Sequence, residues 1–172
     1  QSVGEKGEYG VREFSREEIV KARAQLLEYD GVNVTVPYKQ TVMPLLDEIS
    51  EEARLIGAVN TIKNVNGRLI GYNTDPYGFS AMLLKNGIDV KGKRAVVLGS
   101  GGAAKSVIYA LEKAGAEVVY VRREEDELLK GHEYMSYGQL EEGAGGYLLV
   151  NTTPLGMFPH EEGCAASEKV FS

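Results

Sequence analysis

Tryptophan is absent, cysteine occurs once and histidine twice in 172 residues, and no apolar run approaches the length of a membrane-spanning helix. With Cys164 alone there can be no intrachain disulfide, so packing must hold the fold together and a reducing, cytoplasmic setting is expected. His132, His160 and Cys164 lack the spacing of a metal-ligating set, and no metal is expected. Basic residues are also under-supplied, 19 against 25 acidic ones. The resulting net charge of -6 disfavours nucleic acid or anionic membrane as partners while leaving room for a local basic pocket. Gln1 to Gly10 do not form a signal peptide, and the lack of an initial methionine points to a chain that is part of a longer one.

Apolar residues at 43% and charged residues at 26% match globular usage and exclude a disordered or fibrous chain. Ser15 to Tyr29 carry Ile19, Ala22, Leu26 and Leu27 at helical spacing behind a Ser15/Glu18 capping box, which predicts a helix. Val32, Val34 and Val36 alternate with Asn33 and Thr35 as a short strand that Pro37 ends. A second helix is expected over roughly Val42 to Ile56. Strands follow at Val59 to Asn64 and Arg68 to Tyr72, joined by an Asn66-Gly67 hairpin turn.

After Asp75-Pro76-Tyr77-Gly78 an apolar helical stretch runs to Leu84, and the apolar run Ala95 to Leu98 reads as a buried strand. It leads through Gly99-Ser100-Gly101-Gly102-Ala103-Ala104 into a helix from about Lys105 to Ala114, then a strand at Glu117 to Val121. A weak helix near Glu124 to Lys130 and a strand at Tyr147 to Val150 continue the alternation. The class is α/β: a small α/β domain over residues 1–87, then a Rossmann-type dinucleotide-binding domain over residues 88–172.

The glycine turn fits G-x-G-x-x-A between a strand and a helix. Gly99, Ser100, Gly101, Gly102 and Ala103 would let a pyrophosphate approach the backbone at a helix N-terminus, where unpaired N–H groups and the dipole favour anions. A tight turn that binds nothing is the alternative. At the end of the second strand, where an acidic residue would bind the ribose of NAD, stand Arg122 and Arg123. Guanidinium groups there favour the extra phosphate of NADP, unless Glu124 and Glu125 pair with them as a solvated surface cluster.

Five segments in order then narrow the reading: Asn33-Val34-Thr35-Val36-Pro37-Tyr38-Lys39, Gly57-Ala58-Val59-Asn60-Thr61, Gly71-Tyr72-Asn73-Thr74-Asp75, the glycine turn, and Asn151-Thr152-Thr153-Pro154-Leu155-Gly156-Met157. Together they resemble the shikimate dehydrogenase family from Gly31 to Pro159. The resemblance implies NADPH-dependent reduction of 3-dehydroshikimate to shikimate by a monomer or homodimer, with Lys39 and Asp75 as the catalytic pair. It also implies that Thr35 and Asn60 contact substrate alongside that pair, and that Thr153 contacts the cofactor. Such a pair suits the chemistry, because hydride addition to a ketone builds negative charge on an oxygen that must then be protonated. Glu51 and Met157 carry less weight, as a solvated helix residue and a packing residue.

The resemblance further implies that a substrate-binding serine pair and closing C-terminal helices lie outside these 172 residues, so both domains are expected to be incomplete. The same motifs also serve quinate/shikimate dehydrogenases that use NAD or NADP. A non-catalytic binding module of this fold is a third possibility.

Overall fold

A computed structural model describes residues 7–124, 126, 128–143, 146–158, 161–167 and 170. Two four-stranded sheets organise them. The first contains β1 (Gly31–Asn33), β2 (Glu48–Ile49), β3 (Thr61–Val65) and β4 (Arg68–Tyr72) in the order β1-β3-β4-β2. The β3–β4 hairpin is in the expected register, Val65 opposite Arg68, with Asn66 and Gly67 both at positive φ, as a two-residue turn of matching twist demands. On one face of the sheet Ile62 and Leu69 cluster with Ile19, Ala22, Leu26, Val42, Ala53 and Val59.

The second sheet is wholly parallel: β5 (Arg94–Leu98), β6 (Glu117–Val121), β7 (Glu133–Met135) and β8 (Leu148–Asn151), ordered β7-β6-β5-β8. Counted along the chain this order is 3-2-1-4, the doubly wound pattern whose strand order reverses beside the first strand. Both faces are buried. Ala95, Val97 and Tyr120 point to the side covered by α4 (Asp75–Lys85) and α5 (Gly102–Lys113), whereas Val96, Leu98, Val119 and Val121 meet Met135, Leu140 and Ala165. Near-continuous apolar strands are what a parallel sheet covered on two sides requires.

Three expected helices differ. Ser15 to Tyr29 forms two one-turn helices, α1 (Arg16–Ile19) and α2 (Arg23–Leu26). The Ser15/Glu18 capping box forms as expected, but the link tightens to i→i−3 bonds, Lys21 to Glu18 and Ala22 to Ile19, which still leave Ile19, Ala22 and Leu26 buried together.

The predicted helix from Val42 to Ile56 is instead a 3-10 turn at Met43–Leu45, strand β2, and α3 (Glu51–Ile56). Asp47 explains the break. Its backbone N–H donates to the Leu69 carbonyl and its carboxylate accepts the Leu69 N–H and a two-pronged Arg23 contact at 2.8 and 2.9 Å, so the segment joins the edge of β4. Those contacts hold the Asp47 carboxyl below its usual range, the Arg23 hydrogen bond contributing most.

No helix forms among the described residues from Glu124 to Lys130. Arg122 takes the Glu124 and Asp126 carbonyls that a helix would use, and the Leu129 N–H donates to the buried Tyr120 hydroxyl. Sequence reading also passed over β7 and the short α6 (Tyr137–Glu141), although Ser136 and Gln139 form a capping box that marks the start of α6.

Candidate functional site

Lys39 and Asp75 lie 36 residues apart in the chain, and the fold puts Nζ 2.7 Å from Oδ2. Lys39 is anchored through its backbone: its carbonyl accepts the Val59 N–H at 2.7 Å, tying it to the segment that enters β3. Asp75 opens α4 ahead of Pro76, which needs no hydrogen-bond partner at that position. The pair is partly shielded, with side-chain exposures of 16% for Lys39 and 36% for Asp75, so the charges strengthen one another while one edge stays open to a ligand.

Asn60 completes the arrangement. Its Nδ2 donates to Asp75 Oδ1 at 2.7 Å and to Thr74 Oγ1 at 3.1 Å, while its Oδ1 accepts from Thr74 N and Thr61 Oγ1, each at 3.0 Å. Both amide hydrogens and the carbonyl are thus engaged inside the protein, and the residue is buried. Thr35 sits apart from this network on an exposed turn, where its carbonyl accepts the Tyr38 N–H.

Sequence reasoning quoted Asn73 within its motif and gave it no role. It is buried, its Oδ1 accepts the Asp75 N–H at 3.0 Å, and its Nδ2 reaches both the Ala58 carbonyl and Ser106 Oγ on α5. An asparagine two residues before a helix-opening aspartate is the signal that was available, because its side chain mimics a backbone turn.

The glycine-rich turn lies at the carboxyl end of β5. Gly99 has φ 108, and a Cβ there would stand 3.0 Å from Thr152 Oγ1, so only glycine fits beneath the loop after β8. Ser100 is buried, whereas Gly101 and Ala103 face outward. Gly101 caps α5 with no side-chain hydrogen bond to the first-turn N–H groups. A Cβ on Gly102 would come within 3.7 Å of the Lys39 side chain. The turn and the lysine are therefore neighbours. Thr153 follows β8, and its N–H and hydroxyl both donate to Asn151 Oδ1.

Arg122 and Arg123 follow β6 as expected, but neither pairs with the Glu124 side chain; Glu125 lies outside the described residues. Arg122 packs over the Tyr134 ring and grips backbone carbonyls. Arg123 contacts both Asp126 carboxylate oxygens, at 2.8 and 3.2 Å, which hold the Asp126 carboxyl below its usual range. His132 contacts Glu112 at 2.9 Å, Cys164 is exposed, and His160 lies outside the described residues. A groove bordered by Leu55, Tyr109, Leu128 and His132 lies along α5 and includes neither Lys39 nor Asp75.

A parallel sheet with a glycine-rich turn at its switch point, next to a lysine–carboxylate pair held beside a second sheet, defines a class of doubly wound α/β folds whose switch point is where such sheets take ligands. Comparison with known proteins narrows the class. Residues 1–62 match the shikimate dehydrogenase substrate binding domain. The NADP(+) shikimate dehydrogenase of Clostridium perfringens strain SM101 is 48% identical over 146 residues, covering 81% of this chain and 54% of that protein. The Clostridium beijerinckii enzyme is 42% identical over 176 residues, covering 96% and 64%.

Among solved structures, a chorismate mutase/shikimate 5-dehydrogenase fusion protein from Clostridium acetobutylicum superposes with a TM-score of 0.90 at 38% identity, over 98% of this chain and 64% of that one. A Thermus thermophilus shikimate 5-dehydrogenase in complex with NADP(H) and shikimate gives 0.80 at 34% identity, over 91% and 60%. The chain belongs to the shikimate dehydrogenase family. It spans about half the length of the first curated relatives it matches.

Proposed function

We propose that this chain carries the reacting core of an NADP-dependent shikimate dehydrogenase, a cytoplasmic enzyme that reversibly reduces 3-dehydroshikimate to shikimate. The observation that carries the reading is the Lys39–Asp75–Asn60 cluster with the Lys39 stem against Gly102, the first helical residue after the glycine-rich turn. Uncapped N–H groups at the start of α5 and the bare Gly99 backbone suit a pyrophosphate. Bound there, NADP(H) supplies or accepts the hydride.

The protein's own groups handle the proton. The Lys39 ammonium stabilises negative charge on the substrate oxygen and donates or relays the proton to it, Asp75 keeps the ammonium in place, and Asn60 holds Asp75 from the other side. Thr35, on its exposed turn, is assigned a substrate hydroxyl, and Thr153 a contact with the cofactor. Residues 1–87 and 88–172 correspond to the substrate and nucleotide halves.

One observation favours a second reading, with NAD as well as NADP. Asp126 already occupies Arg123, which weakens its hold on an additional phosphate, and a Listeria monocytogenes shikimate 5-dehydrogenase, 25% identical with a TM-score of 0.71, was solved with shikimate and NAD. Incubating the purified chain with shikimate or quinate against NADP or NAD, and following reduced nicotinamide by absorbance, tests both readings. Shikimate with NADP is expected to be the fastest combination. Absence of nucleotide binding and of turnover in every combination would overturn the assignment.

A further inference from the structure

The mechanism leaves one buried polar link unused, and it joins the two sheets. Asn73 follows β4 and is 4% exposed, while Ser106 lies on α5 with no exposed surface. The Asn73 amide donates to Ser106 Oγ at 3.1 Å, and that hydroxyl donates to the Gly102 carbonyl at 3.1 Å. At its other end, the Asn73 carbonyl accepts the Asp75 N–H at 3.0 Å, and the amide also reaches the Ala58 carbonyl at 3.0 Å. A continuous chain of hydrogen bonds thus runs from the backbone of Asp75 to the first turn of α5.

We propose that Asn73 and Ser106 form a positioning pair that fixes the Asp75 carboxylate relative to the glycine-rich turn. This rests on the reading of Asp75 as a member of the proton-handling pair. Burial supports it. A buried amide that lost its partner would be left unsatisfied, so the link is held strongly or costs stability, and buried networks of this kind specify a single geometry. The helix dipole and phosphate cradle on one side and the reacting carboxylate on the other are thereby set at one distance, which matters because small misplacements of reacting groups cost much of their rate.

The test is NMR spectroscopy of the whole chain, reading the Asp75 backbone amide and the Asn60 side-chain amide in Ser106→Ala, with Ile108→Val as a control for loosening of the same helix. Removing the Ser106 hydroxyl is expected to shift both signals and to speed hydrogen exchange at the Asp75 amide by about fivefold, the worth of one net hydrogen bond. Ile108→Val should leave them in place. Reciprocally, Asn73→Ala should move the Gly102 and Ala103 amides, and the double variant should add little to either single change. Unmoved Asp75 and Asn60 signals in Ser106→Ala, or equal movement in Ile108→Val, overturn the proposal. If Ser106→Ala does not fold, the Asn73→Ala reading decides in the same way.

Adding NADP separates this proposal from the functional reading. In the unmodified chain NADP should perturb both the glycine turn and Asp75, and in Ser106→Ala the glycine turn alone. No perturbation anywhere in the unmodified chain would refute the cofactor assignment, while the nucleotide-free comparison still judges the positioning pair.

Discussion

Replacing Lys39 by alanine separates catalytic from structural roles more sharply than any other change, because the structure predicts very different magnitudes for the two. The lost contact is one 2.7 Å ion pair whose carboxylate partner is 36% exposed. Once unpaired, Asp75 keeps its hydrogen bond from Asn60 and gains water, so the stability cost should be close to that of a partly screened pair, about 1 kcal/mol. For a domain of this size that lowers the melting temperature by roughly 2–4 °C.

Turnover should respond far more. On the role proposed for Lys39, losing the group that stabilises and protonates the substrate oxygen removes about 10²–10⁴-fold, or roughly 3–5 kcal/mol of barrier, and acts mainly on kcat because the interaction is strongest in the transition state. The assay is shikimate-dependent reduction of NADP at saturating and limiting substrate, with thermal unfolding measured on the same samples. A folded Lys39→Ala protein that keeps more than about a tenth of the original kcat would refute the role given to Lys39.

Asp126→Asn removes a negative charge from beside Arg122 and Arg123 and should tighten NADP binding by about fivefold with NAD affinity unchanged, as measured by calorimetry; weaker NADP binding would show that Asp126 assists the cofactor. Gly99→Ala combines positive φ with a Cβ at 3.0 Å from Thr152 Oγ1, and should cost about 1–3 kcal/mol in urea unfolding. Asp47 is held ionised by Arg23 and the Leu69 N–H, so its contribution is complete above the ordinary carboxylate range and is lost as pH falls through its depressed value. Asp47→Asn should therefore be less stable than the original protein at neutral pH, and the difference should shrink toward about pH 3; a difference that does not change with pH would refute the assignment.

Local signals were sufficient where one element accounts for its own hydrogen bonds and burial. The Asn66-Gly67 turn, the apolar β5 and the glycine-rich entry to α5 are of this kind. They failed where a distant partner decides. The stretch from Val42 to Ile56 has apolar residues enough for a helix, but Asp47 answers to Leu69 and Arg23, more than twenty residues away on either side. The Glu124 to Lys130 segment likewise yields to Arg122 and Tyr120.

The site divides in the same manner. Lys39 and Asp75 were identifiable from their motifs, whereas the encirclement of Asn60 and the reach of Asn73 to Ser106 depend on contacts between elements that no spacing in the sequence discloses. The arginine pair was placed correctly after β6. What each guanidinium holds there was decided by the loop's own carbonyls and by Asp126.

The Asn60 amide has a direction, and that direction fixes what it can offer Asp75. Thr74 N and Thr61 Oγ1 both donate to its oxygen, so its nitrogen must face Asp75, and a nitrogen there can only give a hydrogen. Lys39 gives another to the second oxygen. Asp75 thus accepts on both of its oxygens, and a carboxylate held at both ends cannot rotate without breaking one of the two bonds. Whatever meets the Lys39 side chain therefore meets it against a carboxylate plane that Asn60 has set.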